Sequence, residues 1–267
     1  NKALEQGATK ILHRWQEVAP YVDGNLFLRV QIQRTHRIIT TSYEALFLAG
    51  ARELLKIMNT SFRELGVTRK DCMETSWIKS VLYFGGFPSG TPPEVLLKGK
   101  PVVKTFFKGK SNFVRQPVSE TGLEGLWQRL LVVEDNPLIL WSPYGGRMNQ
   151  ISESDTPFPH RNGTLFISLY LSFWQEGEKN VSKHIDWIRN LHNYMGAYVP
   201  SFPRGQYVNY RDLDLGINTK NSTSYIQASA SGYKYFKKFF DRLVKIRTKM
   251  DPENVFRHEQ SIPTFPV

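Results

Sequence analysis

The sequence predicts an α+β fold in which helices cover one side of several strands. Residues 26–33 alternate apolar and polar side chains with a period of two, which is typical of a strand with one polar face. Residues 165–174 form a strongly apolar run of strand length. Residues 3–18 and 179–198 repeat apolar side chains at helical spacing, which favours helices that bury one stripe.

Local patterns predict the remaining elements in chain order. Residues 38–48 are rich in the β-branched and aromatic residues that strands prefer. Residues 85–93 are rich in glycine and proline, so we expect a loop there that forms a rim or lid. Residues 234–249 separate basic from apolar side chains, as an amphipathic surface helix does. We also expect helices at 51–65, 74–84 and 120–133, a strand or hairpin at 102–114, and a buried strand at 138–141 that runs into a loop at Ser142.

Composition and charge limit the class of protein. A hydrophobic content of 40% and an aromatic content of 13% over 267 residues indicate a folded chain with a sizeable core. No run of about 18 apolar residues occurs, so no segment is predicted to span a membrane. The net charge of +11 favours anionic partners. However, the densest basic run belongs to an ordinary amphipathic helix without a recognised nucleic-acid module, so we expect no nucleic-acid partner.

Residues 207–216, YVNYRDLDLG, concentrate two phenols, an amide, a guanidinium and two carboxylates. Pro200 and Pro203 precede this stretch and a polar run at 218–224 follows it, so both flanks predict a loop or a strand end. Loops carry functional side chains more often than helix interiors do, which makes the stretch a candidate active site. The alternative is a strand whose charges form structural ion pairs. Asp212 and Asp214 are expected in ion pairs or backbone caps.

The cysteine and the histidines do not indicate a reactive thiol or a metal centre. Cys72 is the only cysteine, and we expect it to be a buried thiol. The six histidines are scattered along the chain, and none has a second ligand at metal-binding spacing. The sequence therefore predicts no metal site.

Several motifs, taken in order, are similar to those of one family. Residues 207–216 resemble the YxNYRDLDLG signature of the plant berberine bridge enzyme-like flavoproteins. Residues 142–148 (SPYGGRM), 151–154 (ISES) and 157–163 (PFPHRNG) resemble that family's central block, and residues 242–263 resemble its terminus. The combination spans most of the chain and is far more specific than any one motif.

The resemblance implies a domain organisation and a cofactor. Members are FAD-dependent enzymes of the vanillyl-alcohol-oxidase type, and this chain resembles their C-terminal part. Residues 1–201 are then the substrate-binding domain, an antiparallel sheet backed by helices. Residues 202–267 are then a segment that returns to complete an FAD-binding domain, most of which lies outside this chain. The implied partners are a small-molecule substrate and the N-terminal FAD-binding part of the same enzyme.

The resemblance also implies roles for individual residues. Tyr210 matches the catalytic base, and Tyr207 and Asn209 match residues that line the flavin ring or the substrate. A free phenol has a pKa near 10, so the ionised form of such a base must be stabilised by cations or hydrogen bonds. Arg211 is adjacent in sequence, but neighbouring residues of an extended chain point apart, so we do not expect it to activate Tyr210.

Four further positions are implied to bind substrate: Gln31, Ser142, Tyr144 and Ile167. Compared with the cannabinoid-forming oxidocyclases of the family, Gln31 stands in place of a histidine, Ser142 in place of a tyrosine and Ile167 in place of a glutamate. A neutral amide orients a hydroxyl group but does not transfer protons. The pocket is therefore expected to be less polar, which argues against a cannabinoid-type cyclisation. An equally simple interpretation of Ile167 is an ordinary apolar strand position.

Three functions remain open at this point. The first is hydride transfer from a plant metabolite (a phenolic, alkaloid, alcohol or sugar) to N5 of the flavin, with Tyr210 as the base. The second is a flavin-containing cyclase that catalyses a [4+2] addition of plant phenolics. The third is a non-enzymatic, basic, secreted glycoprotein that binds wall polymers.

Four glycosylation sequons bear on location, at Asn59, Asn162, Asn180 and Asn221. Each sequon alone is a weak signal, because it requires only Asn-x-Ser/Thr on an accessible loop of a secreted chain. Together with a family that is largely secreted, they predict an extracellular or vacuolar protein.

Overall fold

A six-stranded sheet organises the computed structural model, which describes residues 1–100, 104–132, 137–199, 204–218 and 224–265. The strands lie in the order β1-β3-β2-β5-β6-β4, and each neighbouring pair is antiparallel. The strand bounds are β1 Lys2–Ala3, β2 Leu26–Thr35, β3 Ile38–Phe47, β4 Phe106–Val114, β5 Leu138–Pro143 and β6 Phe166–Trp174. The predicted α+β fold, an antiparallel sheet backed by helices, is confirmed.

Helices connect the strands, and three more helices come after the last strand, β6, in the chain. Their bounds are α1 Ala8–Val18, α2 Ala51–Ser61, α3 Trp77–Phe84, α4 Glu120–Leu131, α5 Gly146–Gln150, α6 Val181–Tyr194, α7 Tyr225–Phe236 and α8 Phe239–Met250. Short 3-10 turns extend α2 and α6, at Arg63–Leu65 and Met195–Tyr198. Within the described ranges, no helix has both the length and the apolar character needed to cross a membrane.

The main core lies between helices α1, α4 and α6 and one face of the sheet. We call this face the helix face. Trp15 of α1 is fully buried there, and its ring lies 6.1 Å from that of Trp141 and 5.5 Å from that of Phe166. Its indole Nε1 donates a hydrogen bond to the Leu28 carbonyl at 2.9 Å, so the polar edge of this ring is satisfied. This packing leaves the opposite face of β2, β5 and β6 to carry other groups.

The opposite face, the site face, collects three of the predicted substrate-binding residues. Residues directly opposite each other in antiparallel strands point to the same face, and so do residues two apart in one strand. Gln31 pairs with Leu140, which lies two residues before Ser142. Ser142 pairs with Ile167, which in turn pairs with Phe113 of β4. The face predicted from the alternation in β2 therefore continues across three neighbouring strands, on which most of its side chains are apolar.

The structure corrects some of the predicted bounds. The first helix begins at Ala8 rather than at residue 3, because Gly7 adopts a left-handed conformation (φ 81°) that separates α1 from a short 3-10 turn. Ser142 lies within β5 and not in a loop, because its strand continues to pair with β6. The strand predicted at 102–114 begins at Phe106, and residues 102 and 103 lie outside the described ranges.

The basic stretch at 234–249 is also not one helix. Lys237 has a positive φ of 46° and separates α7 from α8. Its ammonium group contacts Glu153 at 2.6 Å and the Pro159 carbonyl at 3.2 Å, so this lysine joins the C-terminal helices to the loop after α5. Cys72 is partly exposed rather than buried. The end of the helix predicted at 120–133, the run at 219–223 and the proposed domain boundary at 201–202 lie outside the described residues.

Close packing of α4 against α6 yields the first testable prediction. A Cβ atom added to Gly125 would lie 2.1 Å from the hydroxyl of Tyr194. That hydroxyl donates to the Gly122 carbonyl at 2.8 Å, and Arg129 lies over the ring at 3.6 Å, so the ring cannot move without losing both contacts. We expect Gly125→Ala to lower the free energy of unfolding by about 1–3 kcal/mol, although alanine ordinarily favours a helix.

Chemical denaturation of the complete protein measures this effect. Gly24→Ala is the matched control, because a Cβ atom there meets no atom within 4 Å and its φ is not positive. Equal stability of the two variants would contradict the proposed close packing.

Candidate active site

The predicted functional stretch forms a turn at residues 207–211, the tyrosine turn, which is anchored by a buried polar residue at each end. Gln206 is 1% exposed, and its side-chain oxygen accepts a hydrogen bond from the Ser111 hydroxyl at 3.1 Å. Its side-chain nitrogen lies 3.2 Å from Nε2 of His192 on α6. Within the turn, the Tyr210 amide donates to the Tyr207 carbonyl at 2.9 Å. The turn therefore begins at the edge strand β4, which carries Ser111.

Asp212 anchors the other end of the tyrosine turn. It has no exposed surface and accepts hydrogen bonds from Lys108 at 2.8 Å and from Lys110 at 2.5 Å, both on β4. Asp214 contacts both lysines and accepts two hydrogen bonds from Arg189 of α6, at 2.9 and 2.7 Å. The bond from Arg189, followed by that from Lys110, holds the pKa of the Asp214 carboxyl far below its usual value. These five residues are called the ion cluster below.

The ion cluster confirms that Asp212 and Asp214 act in ion pairs and caps. Asp212 also accepts a hydrogen bond from the backbone amide of Asp214 at 3.1 Å, which caps a short 3-10 turn. Sequence reasoning did not identify Lys108 and Lys110 as the partners. They lie about a hundred positions earlier in the chain, and no local pattern indicates such a pairing.

The tyrosine turn brings its two phenols to Tyr144. The rings of Tyr207 and Tyr210 lie 5.0 Å apart, and Phe158 bridges from Tyr207 at 5.6 Å to Tyr144 at 6.3 Å. Phe113 of the site face packs against Tyr144 at 5.9 Å. Burial raises the pKa of Tyr144 well above its ordinary value, and the phenols of Tyr207 and Tyr210 raise it further. Three predicted site residues from two separate motifs thus share one aromatic cluster.

The strand residues of the site face differ in how accessible they are. Gln31 and Ser142 are partly exposed, and the amide oxygen of Gln31 accepts a weak bond from Gln33 at 3.4 Å. Ile167 is 4% exposed and Leu169, two residues further along β6, is 8% exposed. Ile167 therefore lies on the site face as part of its buried apolar base and is largely inaccessible to solvent.

The tip of the tyrosine turn is formed by Asn209, which is exposed and donates its amide to the Tyr207 hydroxyl at 2.8 Å. Arg211 points elsewhere, since its guanidinium lies 3.2 Å from Nδ1 of His258. Arg211 is therefore not among the groups that shift the pKa of Tyr210, although it is adjacent in sequence.

Arg29 on β2 is the cation that affects Tyr210. Burial raises the pKa of the Tyr210 phenol, Tyr207 raises it further, and Arg29 lowers it. Glu44 of β3 holds the guanidinium at 2.6 Å, and Phe84 of α3 covers it at 4.7 Å. The sequence contained a signal for this residue, because Arg29 and Gln31 are two apart on the predicted polar face of one strand.

His160 of the central block is structural. It is 2% exposed, stacks on Phe113 at 4.2 Å, and its Nε2 lies 3.0 Å from the Tyr235 carbonyl. Burial lowers its pKa to about 4, which keeps the imidazole neutral at physiological pH. In the parts of the chain that the structure describes, no three His, Cys, Asp or Glu residues are grouped so that they could hold a metal ion.

The groups at the tip of the tyrosine turn fit the ring of an FAD. A flavin ring has both hydrogen-bond donors and acceptors at its polar edge, and the exposed amide of Asn209 offers both functions. Tyr207 and Tyr210 lie next to it, partly exposed, and present phenol groups and flat aromatic faces. The donor set of Tyr207, Asn209 and Tyr210 therefore suits the ring that the resemblance implies.

Comparison with known proteins supports the family resemblance of the motifs. The family model described as "Berberine and berberine like" matches residues 206–263. Monolignol oxidoreductase AtBBE-like 13 of Arabidopsis thaliana is 53% identical over 270 residues, which cover 98% of this chain and 50% of that protein. This chain is a homologue of the plant berberine bridge enzyme-like proteins. It spans about half the length of the curated relatives it matches. A tetrahydroberberine oxidase of Argemone mexicana is 42% identical, over 98% of this chain and 49% of that protein.

Solved structures of homologues share the fold. Berberine bridge enzyme from Eschscholzia californica has a TM-score of 0.91 at 29% identity, over 98% of this chain and 53% of that chain. Phl p 4, a grass pollen allergen with glucose dehydrogenase activity, has a TM-score of 0.89 at 34% identity, over 100% of this chain and 54% of that chain. The resemblance seen in the motifs is therefore confirmed over the whole chain.

The position of Arg29 gives the second prediction. Arg29→Met removes the cation that lowers the pKa of Tyr210, so we expect that pKa to rise and the ionised fraction of Tyr210 to fall at any given alkaline pH. Ultraviolet difference titration of the complete protein against its Tyr210→Phe variant isolates this phenol. Arg52→Met is the control, since the side chain of Arg52 is 83% exposed. An unchanged titration in Arg29→Met would show that Arg29 does not act on Tyr210.

The ion cluster gives the third prediction. Lys110→Met leaves Asp212 buried with one of its two lysine partners, so we expect the free energy of unfolding to fall by about 3 kcal/mol. The double variant Lys110→Met, Asp212→Leu removes the uncompensated charge and should recover part of that loss. Denaturant unfolding of the complete protein measures both. Lys79→Met, at an exposed lysine, is the control, and a loss no larger than that of the control would contradict the role of the cluster.

Proposed function

We propose that this chain forms the substrate side of an FAD-dependent oxidoreductase that oxidises a plant metabolite, with Tyr210 as the base. The observation that carries the proposal is the convergence of Tyr144, Tyr207 and Tyr210 beside the face that bears Gln31 and Ser142. When bound, FAD supplies the acceptor for a hydride. The chain's own residues must then hold the substrate and accept a proton.

The chemistry of the site face supports a phenolic alcohol as the substrate. Leu140, Ile167 and Leu169 form an apolar base beside the aromatic cluster, which suits a flat aromatic ring. The amide of Gln31 lies at the polar edge of the site face and can orient a hydroxyl group. The name of the relative that is 53% identical, a monolignol oxidoreductase, indicates the same class of substrate.

The proposed role of Tyr210 as the base is supported by a cation that lowers its pKa. A buried phenol is a poor base, since burial alone favours its neutral form. Arg29 opposes that effect, and its own position is fixed by Glu44 and Phe84. We infer that Tyr210 takes the hydroxyl proton of the substrate while Gln31 orients that hydroxyl group. Asn209 then holds the polar edge of the flavin ring.

A second candidate, a [4+2] cyclase of plant phenolics, is favoured by a different observation. Burial and Tyr207, the two leading influences on Tyr210, both raise its pKa and so keep it protonated. A neutral phenol donates a hydrogen bond, and together with the apolar base at Ile167 it would orient two large phenolics without any proton transfer.

The organisation and the location of the protein are part of the proposal. We infer that this chain is the C-terminal part of the enzyme, that residues 1–201 bind substrate, and that residues 202–267 complete the FAD-binding domain with the N-terminal part. A secreted or vacuolar location is supported by the exposure of Asn59, Asn162 and Asn180, which leaves these sequons accessible. Asn221 lies outside the described residues.

Anaerobic mixing of the complete enzyme with monolignols, sugars and prenylated phenolics tests the function. We expect a phenolic alcohol to bleach the flavin absorbance, and Tyr210→Phe to slow this bleaching by about 10²–10⁴-fold, because the base is lost. Tyr233→Phe, which removes a partly exposed phenol that bonds Asp241, is the matched control.

The other outcomes separate the candidates. A flavin that never bleaches while a product of two joined phenolics accumulates would establish the cyclase and exclude the oxidase. If neither occurs, the non-enzymatic glycoprotein is favoured, and salt-dependent retention on pectin would then support it.

A further inference from the structure

A row of exposed cations lies along one side of α8. Its side chains recur every three or four residues, which is the spacing of neighbours on one helix face: Lys238, Arg242, Lys245 and Lys249. All four residues are exposed. They lie opposite Phe240 and Val244, which are 1% and 0% exposed and pack with Ala228 of α7. These four cations are called the basic stripe below.

The local structure separates the basic stripe from the other cations of the same run. Lys234 belongs to α7, and the break at Lys237 turns that residue towards Glu153. Arg247 pairs with Asp251 at 2.8 Å. The run at 234–249 therefore folds so that four of its cations form one straight row and the others take different positions.

Acidic side chains do not neutralise the basic stripe. Asp241 is the only acidic residue of α8, and its carboxylate accepts hydrogen bonds from the hydroxyls of Tyr225 and Tyr233 at 2.7 and 2.8 Å. These two bonds lower the pKa of Asp241 most, and Lys245 has a smaller effect. Among the residues that the structure describes, none forms an ion pair or a hydrogen bond with a side chain of the basic stripe.

The basic stripe suits a linear polyanion. Its ends are 11 positions apart in the chain, which corresponds to about 16 Å of helix, and neighbouring cations are about 5–6 Å apart at their Cβ atoms. A polymer that carries a negative charge on each repeating unit can contact several of these cations at once. A small anion can contact only one or two of them.

The surroundings of the basic stripe indicate which polyanion it fits. A helix that binds a membrane inserts its apolar face, and the apolar face of α8 is buried against α7. No recognised nucleic-acid module occurs in the sequence. An acidic polysaccharide fits the remaining conditions, and this choice of partner rests on the proposed extracellular or vacuolar location.

We propose that the basic stripe of α8 binds a polyuronate, an acidic polysaccharide with one carboxylate on each sugar unit. The stripe shares no residue with the candidate active site, so this binding is additional to the proposed catalysis. It differs from the non-enzymatic glycoprotein in that the candidate active site keeps its own function.

Binding of the complete protein to immobilised polygalacturonate tests the proposal. The stripe variant carries glutamine at all four positions: Lys238→Gln, Arg242→Gln, Lys245→Gln and Lys249→Gln. The matched control removes the same number of positive charges at exposed lysines of four other elements: Lys10→Gln, Lys56→Gln, Lys70→Gln and Lys98→Gln. Circular dichroism checks that both variants are folded.

We expect the stripe variant to bind about tenfold more weakly than the parent at low salt, with a flatter dependence of log Kd on log salt concentration, because fewer counterions are released. The control variant is expected to remain within about threefold of the parent, because charges far from the bound polymer are screened. Equal weakening of the two variants would show that net charge alone binds the polymer and would overturn the proposal. So would equally tight binding of fully methyl-esterified polygalacturonate, or tighter binding of double-stranded DNA or of phosphatidylserine vesicles.

Lysine acetylation of the unmodified complete protein provides a second measurement that needs no substitution. We expect bound polygalacturonate to protect Lys238, Lys245 and Lys249 from acetylation, as read by mass spectrometry, and to leave Lys10 and Lys56 reactive. Equal protection of all five lysines, or protection of none, would contradict the assignment. Neither measurement uses a flavin or a substrate, so its outcome is independent of whether the proposed oxidation occurs.

Discussion

The buried pairing of Asp212 with Lys108 and Lys110 determines where the candidate site lies. Asp212 has no exposed surface, and a buried carboxylate that loses its partner is strongly destabilising. The two lysines lie on the edge strand β4, whose sheet partner is β6. The position of the tyrosine turn relative to Ile167 is therefore fixed through the register of β4 with β6. Tyr207 and Tyr210 reach the site face because these charges cannot separate at low cost.

Opposing influences act on the pKa of one phenol in the candidate site. Burial and a neighbouring phenol keep Tyr210 neutral, whereas Arg29 favours its ionised form. Arg29 is held by Glu44 on β3, and both residues lie on the site face beside α3. The pKa of Tyr210 thus depends in part on groups of β2 and β3, which lie far in sequence from residues 207–216.

The sequence predicted those features that local patterns encode. Alternation in β2 identified the polar face of Gln31, and the antiparallel register then brought Ser142 and Ile167 to that same face. The pairing of Lys110 with Asp212 could not be predicted, because charges separated by 102 positions meet only through the fold. The break at Lys237 was missed for another reason, since a positive φ at lysine has no signature in the sequence.

The anchoring of the tyrosine turn at both ends has a consequence for how such proteins diversify. Gln206 and Asp212 lie in the interior, while Asn209 at the tip is exposed. Substitution at the tip leaves the interior contacts intact, so the tip can vary without loss of folding. The fold then constrains the two anchors by purifying selection and leaves the exposed tip free to change.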